Sequence, residues 1–523
     1  MSHEASGLKE DRKKVLKSAF LMASGTLTSR ILGLFRDIAL GALFDRAVTD
    51  AWTAAFRIPN LFRRLFGEGS LAVSFIPVFM QTQSEDPTGA RARNLANAFY
   101  SLLLVILGVL TLLGIVYVEP LFRLILSSDY ALDAAKWELT LRMGRIMFGF
   151  VFFVCTYAFY MGILNALGSF GLPALAPALL NVSMLVFTFM PPQWFAVHGD
   201  GLAWGVLIGG LLQALLLALA LKQRNYLPRL QKTLWTPEVK AVVRGMLPGL
   251  IGMGLLQFST LVNLYFASSL PEGSISYIYW ADRLLELPLS LISVSIGAAL
   301  LPTLSDFASQ GLKEKFQETA EESFLMNLFL AWPAALGLYI LAEPIIEVLF
   351  LRGKFTVQDV QMTAAILRIY AVSLLLVSCS RVLMPLYYSV KNTKVPMVLA
   401  LVSLAAHVSL APVLMRQWGL EGLMISGVAA ALINAVLLMG FLKRYSPGIR
   451  MSVLLRPALK FVLAGAGMVI SLQAYELLMA QTGRGLQMLA LFVTILLAVV
   501  AYFGLAYVLG CEQISRIRRS SQP

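Results

Sequence analysis

Ile76-Pro77-Val78-Phe79 returns 225 residues later as Leu301-Pro302-Thr303-Leu304. Two further stretches repeat at nearly the same interval. Gly171-Leu172-Pro173 falls on Lys394-Val395-Pro396 with an offset of 223. Gly201-Leu202, Gly205, Gly209 and Gln213-Ala214 fall on Gly422-Leu423, Ser426, Ala430 and Asn434-Ala435 with an offset of 221. Three weak matches at one interval describe a chain built twice over, so the elements within each half decide the fold.

Those elements read as membrane helices. The 523 residues are 58% hydrophobic and 14% charged, with a mean hydropathy of +0.76, whereas soluble domains carry about a quarter charged residues. A water-soluble fold is excluded. A bilayer core of ~30 Å takes ~20 apolar residues per helix, and runs of that kind recur from Ser18 to Gly510. They predict helices near residues 18–44, 48–82, 94–117, 142–167, 172–191 and 199–222, then 240–268, 275–308, 317–341, 361–390, 395–415 and 420–442, and finally 453–479 and 486–510. The expected fold is all-α, a polytopic membrane protein of about 14 transmembrane helices. Two six-helix lobes form a parallel repeat, followed by two C-terminal helices. The lobes correspond to residues 1–230 and 231–450, and residues 451–523 hold the last two helices and a basic tail. An even number of helices per half starts both halves on the same membrane side, which places substrate between the lobes.

A formal charge of +13 could point to nucleic acid, but basic residues of membrane proteins gather in cytoplasmic loops. Arg91, Arg93, the stretch Lys222 to Arg244, Lys313, Lys315, Lys391, Lys394, Lys443, Arg444, Arg450, Arg516, Arg518 and Arg519 fall in alternate breaks. The opposite breaks hold Arg46, Arg123, Lys136, Arg352, Lys354, Arg416 and Arg484. The bias is roughly three to one and puts both termini in the cytoplasm. The first tail, with Lys9, Arg12, Lys13, Lys14 and Lys17, lacks the pattern of a signal peptide. No nucleic-acid partner is expected. Cys155, Cys379 and Cys511 are far apart and read as free thiols, and His3, His198 and His407 stand alone, so no metal or cofactor is expected. No nucleophile grouping or P-loop appears, which argues against an enzyme.

The chemistry lies in charges placed inside apolar helices. Ser29-Arg30-Ile31-Leu32-Gly33-Leu34-Phe35-Arg36-Asp37 sets two arginines and an aspartate in the first helix, each costing ~2.5 kcal/mol or more at membrane depth. Arg30 and Asp37 are seven apart and nearly eclipsed, which predicts their pairing and leaves Arg36 available. The second segment carries Arg57, Pro59, Asn60, Arg63, Arg64, Gly67, Glu68 and Gly69. Its proline and glycines predict a bent or broken helix, with Arg64 and Glu68 pairing at i and i+4. Asp282-Arg283 stands one repeat length after Arg57-Ile58, with Glu286 on the same surface. A cavity in which arginines outnumber acids prefers an anion, and the planar guanidinium fork suits phosphate oxygens. Gly201, Gly205 and Gly209, four apart, predict close helix packing.

These stretches, with Thr49-Asp50-Ala51, Pro59-Asn60-Leu61-Phe62-Arg63-Arg64, Glu68-Gly69, Phe75-Ile76-Pro77 and Ala281-Asp282-Arg283, resemble the MurJ (MviN) family of lipid II flippases. That family belongs to the multidrug/oligosaccharidyl-lipid/polysaccharide exporter superfamily. The resemblance covers essentially the whole chain and implies fourteen helices in the bacterial inner membrane. It also implies alternating-access transport of lipid II, an undecaprenyl diphosphate bearing a disaccharide pentapeptide, to the outer leaflet. By matching motif, Arg30, Arg36 and Arg283 would hold the diphosphate, with Asp37, Asp50, Arg63, Arg64 and Glu68 as supporting cavity charges. The last two helices would form a groove for the polyprenyl tail, and the implied partners are lipid II, membrane lipids and, as candidates, cell-wall synthesis proteins. Some relatives hold sodium with acids in the seventh and eleventh helices. Here Val239 to Ala267 and Val395 to Met415 contain no Asp or Glu, so coupling through that site is not expected. The competing readings are a flippase for another polyprenyl-linked glycan and a drug or cation antiporter, which would need acids in its cavity.

Overall fold

The computed structural model describes residues 24–66, 71–482 and 486–520, and among them every regular element is a helix. Glu68, the basic tail from Lys9 to Lys17 and Arg484 lie outside these residues. The chain divides into two compact units, Met1–Ile275 and Ser276–Pro523.

The first unit contains α1 (24–43), α2 (Arg46–Leu65), α3 (Leu71–Glu85), α4 (Ala90–Val116), α5 (Val118–Ile125), α6 (Ala134–Ala166), α7 (Gly171–Phe189), α8 (Asp200–Gln223) and α9 (Pro237–Ser268). At the boundary α10 (Ser274–Pro288) begins. A π-helical segment, Leu289–Val294, joins it to α11 (Ser295–Ser309). Then follow α12 (Lys313–Ile340), α13 (Ala342–Phe350), α14 (Val357–Tyr388), α15 (Lys394–Tyr445), α16 (Met451–Thr482), α17 (Gln487–Val508) and α18 (Glu512–Ser520).

The helix order repeats more fully than the residues do. The starts of α3, α5 and α7 at Leu71, Val118 and Gly171 reappear 224, 224 and 223 residues later at Ser295, Ala342 and Lys394. Both short helices, α5 and α13, escaped the hydropathy reading because each is under half a membrane span. Every expected helical stretch is occupied by helix, with two differences in continuity. The 48–82 stretch is two helices, and α2 runs unbroken through Pro59 to Leu65. The 275–308 stretch is interrupted by the π segment after Pro288. Conversely, α15 is helical in hydrogen bonding throughout, but Gly419 (φ 53°, ψ −126°) reverses the chain between the two limbs read from sequence. By length and composition ten helices could cross a membrane, counting Ser274–Ser309 and α15 as one each. The protein is a multi-pass membrane protein.

Starts are fixed by side chains that accept from first-turn amides. Asp45 accepts from Val48 N–H at 3.1 Å and Asp133 from Lys136 N–H at 3.0 Å. Thr356 and Asp359 form a reciprocal capping box at the start of α14. Within the helices the prolines create the harder problem, since each withholds the N–H that the carbonyl four residues earlier needs. Pro333 orphans the Phe329 carbonyl, and the Tyr502 hydroxyl of α17 donates to it at 2.8 Å. Pro177 likewise orphans the Pro173 carbonyl, which accepts from the Tyr157 hydroxyl of α6 at 3.2 Å. Each tyrosine thereby locks two helices together. Phe329 and Tyr502 also stack with Phe461 and Phe503 at the centre of the second unit's core.

The expected glycine seam is present. A Cβ at Gly205 or Gly209 would come within 2.9 Å of the Cα of Met184 or Leu180, so α8 lies directly on the backbone of α7. In the second unit the corresponding seam joins the limbs of α15, where Ser426 Oγ meets His407 Nδ1 at 3.0 Å. That contact satisfies a buried histidine within its helix.

Replacing Tyr502 by Phe keeps the ring and deletes only the donor to Phe329. Thermal unfolding of the detergent-solubilised protein should show destabilisation of about 1–3 kcal/mol, the cost of a buried carbonyl left without its partner. An unchanged melting temperature would mean that another group serves that carbonyl.

Candidate functional site

The spacing of the first charged motif becomes intelligible on α1. Ser29, Gly33 and Arg36 stand at i, i+4 and i+7 and share one face, which meets Asn181 of α7. Asn181 Nδ2 donates to the Ser29 carbonyl at 2.8 Å, and its Oδ1 accepts from Arg36 Nη1 at 2.9 Å. Gly33 has no Cβ to hold the amide away; one built there would sit 3.6 Å from Asn181 Nδ2. Arg36 Nε and Nη2 both donate to Asp37 Oδ1, at 2.8 and 2.6 Å, with only 5% and 2% of the two side chains exposed. Met184 Sδ, 3.6 Å from Nη1, completes the surround.

This corrects the helical-wheel reading. Arg36, expected to be the available base, is buried and held by Asp37, while Arg30 lies exposed. The wheel placed Asp37 over Arg30 by angle alone. It could not weigh the next-door guanidinium, whose long side chain folds back onto the carboxylate, nor Asn181, which lies 145 residues away. An asparagine inside the apolar run of α7 was the available signal.

The other predicted residues fall into separate groups. Asp50 is 2% exposed, and its Oδ2 accepts from the N–H of Gly273 at 2.7 Å. Gly273 adopts φ +94°, immediately before α10, so Asp50 pins a turn rather than facing open space. Tyr130 lies nearby with its hydroxyl 2.9 Å from Thr140 Oγ1. Burial, and then the Asp50 carboxylate, push that phenol well above its ordinary range. Arg63 Nε donates to Asn60 Oδ1 at 2.8 Å.

Arg64 joins Arg57, Asn60, Gln257 and Thr260, with two leucines, around a cleft between α2 and α9 of about 220 Å³. The sequence reading had noted Gln257 only for being uncharged, and the cleft gives it a position facing two arginines. The proposed pairing of Arg64 with Glu68 falls outside the described residues.

In the second unit, Arg283 is one-third exposed. Its Nη2 donates to the Tyr279 hydroxyl at 3.1 Å and its guanidinium carbon stands 5.0 Å from the Tyr279 ring centre. Nη1 lies 3.7 Å from Glu286 Oε2, in keeping with the shared surface expected for the two. Tyr279 and Glu286 together hold a cation that still faces outward on one side.

The comparisons with known proteins bear on this arrangement. A probable lipid II flippase MurJ of Bdellovibrio bacteriovorus is 98% identical over 523 residues, the whole of both chains. A solved structure of the lipid II flippase MurJ in an inward closed conformation aligns with a TM-score of 0.77 at 23% identity, covering 94% of this chain and 98% of that one. An inward-facing multidrug resistance MATE family transporter of the MOP superfamily aligns with a TM-score of 0.69 at 17% identity, over 84% of this chain and 99% of its own. The family profile described as lipid II flippase MurJ matches residues 40–491. The chain therefore belongs to the lipid II flippase MurJ family.

Proposed function

We propose that this chain carries lipid II from the cytoplasmic to the outer leaflet of the bacterial inner membrane by alternating access. The observation that carries this reading is the family match over residues 40–491, and the chemistry of the buried arginines supplies a mechanism. Arg30, Arg36 and Arg283 grip the diphosphate, with Asp37, Asp50, Arg63, Arg64 and Glu68 as supporting charges. Guanidinium forks pair with phosphate oxygens and stay charged at every working pH. Arg36 starts from an ion pair, so substrate binding exchanges the Asp37 carboxylate for a phosphate instead of neutralising a bare charge. The head group crosses as the access side alternates, while the polyprenyl tail stays in lipid along α16 and α17. No covalent bond changes in this cycle. Fourteen membrane passes put both termini in the cytoplasm.

Arg30→Ala, Arg36→Ala and Arg283→Ala should each abolish growth in cells that depend on this chain, at normal protein levels. Only Arg36→Ala should also lower the melting temperature, because it strands a buried carboxylate at a cost of about 3–5 kcal/mol. Normal growth of all three variants would place the diphosphate elsewhere.

Depletion of this protein should reduce externally accessible lipid II and cause lysis. A normal outer-leaflet level in depleted cells that hold no second flippase would remove lipid II as cargo.

A reporter active only outside the cytoplasm, fused after Pro523, should stay silent. Clear activity would overturn the proposed orientation.

A further inference from the structure

Arg57, Asn60 and Arg64 stand at i, i+3 and i+7 on one face of α2, and Gln257 and Thr260 at i and i+3 on one face of α9. All five line the same cleft. Among the described residues no carboxylate lines it. Two guanidiniums about 10 Å apart along the helix rise thus converge on one small space together with an amide and a hydroxyl. Cations at membrane depth are expensive and mark functional sites, and an anion between them offsets their repulsion.

The size of the cleft narrows the ligand. At about 220 Å³ it falls below the ~300–1,000 Å³ of ordinary small-molecule pockets, which excludes a disaccharide and suits one tetrahedral oxyanion. The donors narrow it further. Two planar forks, an amide N–H₂ and a hydroxyl can supply directed hydrogen bonds to several oxygens of one phosphate. We propose that the α2–α9 cleft is a phosphate-binding subsite in which Arg57, Gln257 and Thr260 act with Arg64. The phosphate is either part of a lipid-linked diphosphate or free in solution. The lipid-borne case rests on the proposed function, whereas the phosphate chemistry stands on the cleft alone. Arg57, Gln257 and Thr260 would then be binding residues beyond the arginines that motif resemblance identifies.

The test measures binding of purified lipid II and, separately, of inorganic diphosphate to the full-length chain in detergent micelles. The variants are Arg57→Gln, Arg57→Lys, Thr260→Val and Arg283→Gln. Arg57→Gln should raise Kd for at least one probe on the order of tenfold, as expected for loss of a charge-assisted hydrogen bond. Thr260→Val should raise it several-fold, and Arg57→Lys should fall between wild type and Arg57→Gln. An effect confined to lipid II assigns the subsite to the lipid diphosphate, and an effect confined to inorganic diphosphate assigns it to free phosphate. Unchanged Kd for both probes in Arg57→Gln and Thr260→Val overturns the subsite, as does a wild-type chain that binds neither probe. If Arg57→Gln does not fold, Thr260→Val and Arg57→Lys decide by the same criteria. Weaker lipid II binding in Arg283→Gln alone would overturn the subsite and keep the flippase reading. Inorganic diphosphate binding lost in Arg57→Gln, with no lipid II bound by any chain, would keep the subsite and overturn lipid II as ligand.

Discussion

In the hydrocarbon core of a bilayer each carbonyl and each charge must find its partner inside the protein, because no water is present to substitute. The regular helices meet this constraint by themselves, and the informative places are those where they cannot. Pro333 and Pro177 each leave one carbonyl unserved, and in both cases a tyrosine from another helix donates to it. The bond does double duty: it removes the desolvation penalty of the carbonyl and fixes the register of two helices. A proline in a membrane helix therefore becomes a docking point for a neighbour.

The charges obey the same rule with a different outcome. Desolvating an ion pair can cost as much as the attraction returns, but removing one partner is worse still. Arg36 and Asp37 are held in this way, with Asn181 and Met184 filling the remaining directions. Such a pair is locally neutral and tolerable in an apolar seam, and its carboxylate is exchangeable for a stronger anion. Arg283, resting on Tyr279 with Glu286 at longer range, is held more loosely. The two arginines thus differ in how much structure must yield before either can reach a phosphate.

Irregular backbone occurs at related points of the repeat. The interval between α2 and α3 follows Arg63 and Arg64, and the π segment Leu289–Val294 follows Arg283 at the equivalent position. Pro288 contributes to the second break by withholding an N–H just before the π turn. Breaks that directly follow charged turns join local backbone freedom to the residues that face substrate in the proposed cycle.

How much of this was legible in the sequence depends on the range of the interaction. Hydropathy is summed over one helix at a time, so it alone placed the long helices. Recurrence of short motifs revealed the repeat, because packing seams such as Gly205 on Met184 demand small residues at fixed spacing. The arginine-bearing helices were evident too, since a charge in an apolar run stands out without any partner in view. Only the tertiary structure decided which base pairs with Asp37, that Asp50 holds the Gly273 amide, and that Gln257 and Thr260 face Arg57 and Arg64. Each of these contacts joins segments far apart in the chain, or depends on which rotamer a long side chain adopts. Helical periodicity gives the angle at which a side chain leaves its helix, and the packed neighbours determine where that side chain ends.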